Sequence, residues 1–99
     1  MVQGNTVYDC LGISGIWLEN VTNGSLSDNT SRGNAGHGAL LDGCSNLAIG
    51  TNTFRQNTQT GLRIGSTSAN LAINGNVITG NGSITGLGSA PGRIDGANV

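Results

Sequence analysis

Charged side chains are scarce in this chain of 99 residues, which carries four basic and five acidic residues. Proteins that bind duplex nucleic acid place many arginines and lysines along one surface. No such basic stripe is present, so we expect no nucleic-acid partner. The sequence also lacks an apolar run long enough to span a membrane, and no stretch after Met1 is typical of a signal peptide. We therefore expect no membrane partner and no secretion signal in this chain.

Metal ligands and phosphate-binding motifs are missing as well. The single histidine, His37, and the two cysteines, Cys10 and Cys44, are too few and too widely spaced for a structural zinc site. The glycines form neither GxxxxGK[ST] nor GxGxxG, and the calcium-binding repeat GGxGxD is absent. These absences predict a protein without a cofactor.

What the sequence does contain is a repeat of 23 residues. Its three full copies begin at Gly15, Gly38 and Gly61, and apolar residues alternate after each glycine, a pattern typical of a short strand. The third copy carries one extra residue in the turn at 66–69. Further equivalent positions form an asparagine column (Asn5, Asn29, Asn52, Asn76), a second such column (Cys10, Asn34, Asn57, Asn81) and an apolar column (Val2, Leu26, Ile49, Ile73).

A repeat of this length and composition predicts an all-β fold. We expect a parallel β-helix of about four coils, a solenoid in which each coil adds one strand to each of three parallel sheets. Equivalent residues then lie about 4.8 Å apart in columns, and stacked asparagines can hydrogen-bond along them. We interpret the asparagine column that begins at Asn5 as structural for this reason. Cys10 and Cys44 fall in different columns, which predicts two separate thiols instead of a disulfide.

The repeat also predicts the domain boundaries and the core. The chain divides into a partial coil (1–14), three full coils (15–37, 38–60 and 61–81) and a less regular tail (82–99). In the tail, residues 93–95 are predicted as a last short strand, and Gly86 and Leu87 as the start of a further coil. The expected core consists of Val2, Ile16, Leu18, Leu26, Leu41, Ile49, Phe54, Leu62, Ile64, Ile73 and Ile78. Because so short a stack has open ends, we expect it to belong to a longer helix or to pack against a partner chain.

The first strand of each coil has the most informative outward surface. Glu19 and Asp42 become neighbours on adjacent strands, with carboxylates about 5 Å apart. Two carboxylates at that separation can cleave a glycosidic bond as acid and base or nucleophile. They can also contact a glycan without catalysis, or be solvated surface residues whose repulsion Arg63 relieves.

Three further side chains complete this surface. Trp17 offers a flat platform for a sugar ring, and Arg63 can bind an acidic sugar. His37 lies at the rim, where it is either a base toward a bound substrate or an ordinary exposed turn residue. The predicted catalytic residues are therefore Glu19 and Asp42, and the predicted substrate-binding residues are Trp17, Arg63 and His37.

A second outward column lies on the third sheet. It contains Tyr8, Arg32, Arg55 and Thr79. Two stacked arginines can face an anion or a neighbouring subunit, or be neutralised by a nearby acidic side chain.

The sequence of the repeat resembles that of a known family. The run G-[IAL]-x-[LI] followed by [SA]-N-L-x-I-x-x-N-x-[FVI]-x-x-N, in 38–57 and 61–81, is similar to the right-handed parallel β-helix repeat of the pectin lyase-like superfamily. This group includes pectate lyases, polygalacturonases, alginate C5-epimerases and bacteriophage tailspikes. The resemblance implies a right-handed winding and a substrate groove on the strand that begins at the repeat glycine. The Asp-Pro-His motif of the epimerase-like members is absent. The equivalent positions are Trp17, Leu18 and Glu19 in the first full coil, and Leu40, Leu41 and Asp42 in the second.

The low charge and short stack are more similar to a segment of a phage tailspike than to a secreted pectinase. The resemblance therefore implies a module that binds a surface polysaccharide, within a homotrimer or a longer parent, outside the cell or on a virion tail. One alternative is a structural coil stack that serves oligomer assembly. Another is a fragment of a secreted lyase, glycoside hydrolase or C5-epimerase, so enzymatic activity is left open.

Overall fold

The described part of the chain consists of twelve short β-strands and the turns between them. The computed structural model describes residues 1–65, 67–82 and 94–95, which form strands and turns without a helix. The strands are β1 (Val2–Gln3), β2 (Thr6–Tyr8), β3 (Ser14–Glu19), β4 (Thr22–Ser27), β5 (Thr30–Arg32), β6 (His37–Asp42), β7 (Ser45–Gly50), β8 (Thr53–Arg55), β9 (Leu62–Ile64), β10 (Ala69–Asn74), β11 (Val77–Thr79) and β12 (Ile94–Asp95). The further coil predicted to start at Gly86 and Leu87 lies outside the described residues.

All strand pairs among the described residues are parallel, and they build three sheets. The sheets have the orders β1-β4-β7-β10-β12, β2-β5-β8-β11 and β3-β6-β9. Each full coil therefore gives one strand to each sheet, which confirms the predicted β-solenoid. Strand β12 pairs with β10, where Ala72 lies beside Ile94, so the predicted strand in the tail is confirmed at 94–95. The right-handed winding that the resemblance implies stays a prediction.

The strand register follows the columns of the repeat. Val2 pairs with Leu26, Leu26 with Ile49, and Ile49 with Ile73. Successive side chains of a strand point to opposite faces. This register therefore keeps the apolar side chains of every coil inside the solenoid and the alternate side chains outside.

The core is a narrow apolar column between the three sheets. Its buried members are Ile16, Leu26, Ala39, Leu41, Cys44, Leu47, Ile49, Phe54, Leu62, Ile64, Leu71 and Ile73. Three residues of the expected core, Val2, Leu18 and Ile78, are only partly buried and pack against it, because β1, β3 and β11 are edge strands among the residues that the structure describes. Leu47 and Leu71 are additional core residues. Asn46 and Asn70, which precede Leu47 and Leu71, have a positive φ. This bends the strand, so a simple alternation of inward and outward residues does not predict the burial of the two leucines.

Buried asparagines form two hydrogen-bonded columns along the solenoid. The backbone N–H and the Nδ2 group of Asn29 both donate to Oδ1 of Asn52 at 3.0 Å. Asn52 makes the same two bonds to Oδ1 of Asn76, at 3.0 and 2.9 Å, and its Nδ2 also donates to the Leu26 carbonyl. The second column repeats this arrangement through Asn34, Asn57 and Asn81, and Cys10 N–H donates to its first Oδ1. The structural role predicted for the asparagines is confirmed.

The coils turn at residues with positive φ, a conformation that favours glycine and asparagine. Two columns of such residues are Gly4, Asp28, Thr51 and Gly75, and Asp9, Gly33, Gln56 and Gly80. Thr51, with a φ of 55°, is the only β-branched one in the described part of the chain. Its hydroxyl donates to Oδ1 of Asp28 at 2.5 Å. This bond, with a weaker one from Gln3, holds the pKa of Asp28 below its ordinary value.

Removing one buried amide should weaken the whole stack. Asn52→Ala deletes the acceptor for two donors of Asn29 and the donor to Leu26. We expect the free energy of unfolding, measured by urea denaturation, to fall by about 3–5 kcal/mol, since each unsatisfied buried group costs about 1–3 kcal/mol. As a control, Asn46→Gly removes the exposed bond to Asn23 and tolerates positive φ, so it should cost less than about 1 kcal/mol. Equal losses in both variants would contradict the structural role of the buried column.

Relieving the strain at Thr51 should stabilise the protein. A β-branched residue in the left-handed region costs about 1–2 kcal/mol, and glycine adopts that conformation freely. We expect Thr51→Gly to raise the free energy of unfolding by about 0.5–1 kcal/mol, because the lost exposed bond to Asp28 cancels only part of the gain. Thr53→Gly, in the following strand, should instead destabilise by roughly 0.5–1 kcal/mol. A loss of stability in Thr51→Gly would show that the Asp28 bond outweighs the strain.

Candidate functional site

The outward face of the three-stranded sheet brings the predicted site residues together. Trp17 in β3, Leu40 in β6 and Arg63 in β9 are paired across adjacent strands and form one outward column. Glu19 and Asp42 are paired in the next outward column. The neighbourhood predicted from the repeat is therefore present in the fold. The catalytic and substrate-binding roles of these residues stay predictions.

The column that begins with Trp17 offers three kinds of contact in succession. Trp17 is 50% exposed, and its indole can stack against a flat ligand. Leu40 beside it is half-buried and adds an aliphatic surface, and Arg63 is exposed. Two strand spacings separate the indole from the guanidinium position, so the column extends over about 10 Å.

The two carboxylates lie at the end of this face. Glu19 and Asp42 are both exposed, on strands that are about 4.8 Å apart. Oδ1 of Asp42 accepts a long hydrogen bond of 3.5 Å from the Thr67 hydroxyl. Above Asp42 lies Gly65, where an added Cβ would approach Oδ1 to 3.0 Å. The glycine thus leaves room for the Asp42 carboxylate, which keeps most of its hydrogen-bonding capacity for solvent or a ligand.

His37 begins strand β6 and pairs with Ser14. It is half-buried, so the interpretation as an exposed turn residue is wrong. Its Nδ1 accepts a hydrogen bond of 3.1 Å from the backbone N–H of Thr60. Burial, and then the positive charge of Arg63, lower the pKa of His37 below its ordinary value of 6.5. A neutral ring with its proton on Nε2 follows, and this tautomer offers a ligand a donor, whereas accepting a proton would break the bond to Thr60.

Two contacts of this face were not predicted from the sequence. The repeat places Thr60 in the column of His37, so the spacing brings them together, but a backbone N–H bonded to a ring nitrogen has no sequence signature. Thr67 reaches Asp42 from the turn that holds the extra residue of the third copy. The shape of that turn cannot be derived from the other copies.

Within the described residues, the thiols and carboxylates do not form a second cluster. Cys10 and Cys44 are both free, as predicted, and Cys44 is completely buried with its Sγ 3.3 Å from the Leu18 carbonyl oxygen. Among the described residues, no three side chains of His, Cys, Asp or Glu lie close enough together to hold a metal ion. Over those same residues the fold encloses no pocket. No helix long and apolar enough to cross a membrane occurs in residues 1–65, 67–82 and 94–95.

Comparison with known proteins adds one match. A family model described as "Periplasmic copper-binding protein (NosD)" matches residues 1–92. No curated protein and no solved structure matches the chain.

Acidification should weaken the fold through His37. Because the folded pKa lies below the unfolded value of 6.5, the unfolded chain binds more protons in the interval between them. The stabilisation from neutral His37 is complete above pH 6.5 and is lost as pH falls below it toward the folded pKa. Urea midpoints measured on both sides of pH 6.5 should therefore fall on acidification, and less so in His37→Gln. An identical pH dependence in both proteins would contradict this assignment, since aspartate and glutamate titrate at lower pH.

Proposed function

Since the chain belongs to the NosD family, a parallel β-helix family of the pectin lyase-like clan, we propose that it is a module that binds a polysaccharide along its three-stranded sheet. The single observation that carries this proposal is the outward column of Trp17, Leu40 and Arg63. In this proposal, a sugar ring stacks on the indole and an acidic group of the same chain meets the guanidinium about 10 Å away. The ligand is therefore an extended oligosaccharide that crosses all three strands.

The neighbouring carboxylates support the same ligand class. Glu19 and Asp42 are exposed and can accept hydrogen bonds from sugar hydroxyls. The Nε2–H of His37 adds a donor at the other side of the column. The ligand in this proposal thus meets acceptors at one edge and a donor at the other, which fixes its orientation on the sheet.

Glycosidic bond cleavage is the second candidate function. The observation that favours it is the pairing of Glu19 with Asp42, because strands about 4.8 Å apart bring two carboxyls near the roughly 5–5.5 Å separation of retaining glycosidases. In such a reaction one carboxyl protonates the leaving oxygen and the other attacks the sugar carbon. The family match names neither a lyase nor a tailspike, so binding is the primary proposal.

Copper does not fit the donors of this chain. The family description names copper, which soft thiolate and thioether groups and imidazole bind best. Here the Cys44 thiol is buried against a backbone carbonyl, and the His37 Nδ1 already accepts the Thr60 N–H. No three candidate ligands meet anywhere in the described part of the chain. We therefore derive no copper chemistry for it.

The expectation from the sequence is a location outside the cell or on a virion tail; the family description names the periplasm, which supports a non-cytoplasmic location and not the virion tail. We propose a periplasmic location in place of the virion tail. The ligand in this proposal is a polysaccharide. A further coil or a partner subunit covers the exposed end of the first coil. At that end Leu11 and Ile13 are 91% and 56% exposed.

A glycan array followed by calorimetry tests the proposal. The chain should bind at least one acidic polysaccharide, and Trp17→Ala should weaken that binding about tenfold or more, as expected for loss of an aromatic contact. Arg63→Gln should weaken binding of acidic glycans alone. Thr22→Ala, on the five-stranded sheet, is the matched surface control and should leave the affinity unchanged.

The same samples separate the alternatives. If the wild-type protein releases reducing ends from the polysaccharide and Asp42→Asn does not, the protein is a glycosidase. An absence of glycan binding in folded wild-type protein would overturn the proposal in favour of a structural coil stack. The same conclusion would follow if Trp17→Ala, with wild-type circular dichroism, bound as tightly as Thr22→Ala.

A further inference from the structure

We infer that the four-stranded sheet carries a second binding site, formed by Arg32 and Arg55, for a single oxyanion group such as a phosphate or a carboxylate. This site lies on a different sheet from the column of Trp17, and it does not depend on the proposed function. Nothing in the family description refers to it.

The strand register stacks the two arginines. Arg32 in β5 and Arg55 in β8 are paired residues of adjacent parallel strands, about 4.8 Å apart, and both occupy outward positions. Arg55 is exposed and Arg32 is half-buried. Two guanidinium groups at this spacing can both donate to the oxygens of one oxyanion between them, because each presents a planar set of N–H donors.

Tyr8 holds one of the two arginines in place. It precedes Arg32 in the same column, and the guanidinium carbon of Arg32 lies 5.0 Å from the centre of the Tyr8 ring. The cation–π contact restricts the Arg32 side chain before any ligand arrives. A donor that is already ordered loses less conformational entropy on binding an anion.

The two positive charges have no protein counterion in the described part of the chain. Neither guanidinium forms an ion pair or a side-chain hydrogen bond there. The acidic residue next to Tyr8 is Asp9, which occupies the neighbouring column and packs over Gly33 without pairing to either arginine. Stacked like charges repel each other, so an anion between them relieves the repulsion and gains bonds to both.

The chain provides its own comparison for this site. Arg63 is also exposed and outward-facing, but its column contains Leu40 and Trp17 and no second arginine. It should therefore respond to inorganic phosphate and to chloride as an isolated surface charge does. The contrast separates a built oxyanion site from general attraction of anions to arginine.

Arginine side-chain nuclear magnetic resonance tests the site directly. The ¹H–¹⁵N signals of the Nε–H groups are assigned with Arg→Gln variants and followed during titration with inorganic phosphate, with sodium chloride at equal ionic strength as the control. We expect the Arg32 and Arg55 signals to shift together and to saturate with phosphate alone, while the Arg63 signal follows ionic strength. Sodium glucuronate in a parallel titration shows whether phosphate or a sugar carboxylate binds more tightly.

Two variants sharpen the result. Arg55→Gln should weaken the response of Arg32 to phosphate about tenfold or more, since one of two charged donors is lost. Tyr8→Leu should also weaken it, and Arg63→Gln should leave it unchanged. Circular dichroism and unchanged backbone spectra confirm that each variant is folded.

Three outcomes would overturn the inference. The first is a response of Arg32 and Arg55 to phosphate that equals the response of Arg63 to phosphate or that appears equally with chloride. The second is that the Arg32 and Arg55 signals saturate neither with phosphate nor with glucuronate. The third is an unchanged Arg32 response in folded Arg55→Gln. Each outcome leaves the polysaccharide proposal unaffected, because that proposal concerns the three-stranded sheet.

Discussion

The rest of this structure depends on the side-chain amide of a buried asparagine at each coil corner. A parallel solenoid satisfies the backbone groups of its strands through the coils above and below, but the corners turn inward and bury polar groups. Asn52 resolves this problem in both directions. Its Oδ1 accepts both donors of Asn29, while its Nδ2 donates to the Leu26 carbonyl and to Asn76. An amide is suited to this position because it carries an acceptor and two donors on a short side chain.

The buried columns also fix the vertical register, and the register determines the outer surface. A slip of one residue between coils would separate the paired amides and turn every inward side chain outward. The pairing of Trp17 with Leu40, and of Glu19 with Asp42, is therefore a consequence of bonds made inside the solenoid. Equivalent residues of neighbouring coils are 24 positions apart at Cys10 and Asn34, but 23 positions apart at Ser14 and His37. The additional residue lies in the exposed turn between Cys10 and Ser14, so both asparagine columns stay intact.

The sequence predicts the scaffold well because each scaffold position is repeated. Asn29, Asn52 and Asn76 identify one another by their spacing, and the fold, the three sheets and the core column follow from that spacing. Features that occur once have no such support. Gly4 and Gly75 indicate a positive φ for their column, but the β-branched Thr51 on its own would not have predicted it, and the bond from the Thr60 N–H to His37 is marked by no pattern.

The same difference limits what the family implies for function. The inward positions repeat from coil to coil, whereas the outward positions, which a ligand would contact, change. Trp17, Leu40 and Arg63 share a column and have no chemistry in common. The family description names copper, but in the described residues the Cys44 thiol and the His37 Nδ1 take part in internal bonds and no three candidate ligands lie together.

The outward columns show how one scaffold can separate two chemistries. The three-stranded sheet carries an indole and two carboxylates, and the four-stranded sheet carries Tyr8 with two arginines. Side chains on different sheets cannot meet across the core, and within a sheet each column combines one residue from every coil. A substitution in one coil therefore changes one position of one face and leaves the other faces and the inner hydrogen bonds as they were. Each sheet of this solenoid therefore presents its own set of outward columns, as long as the amides inside hold the coils in register.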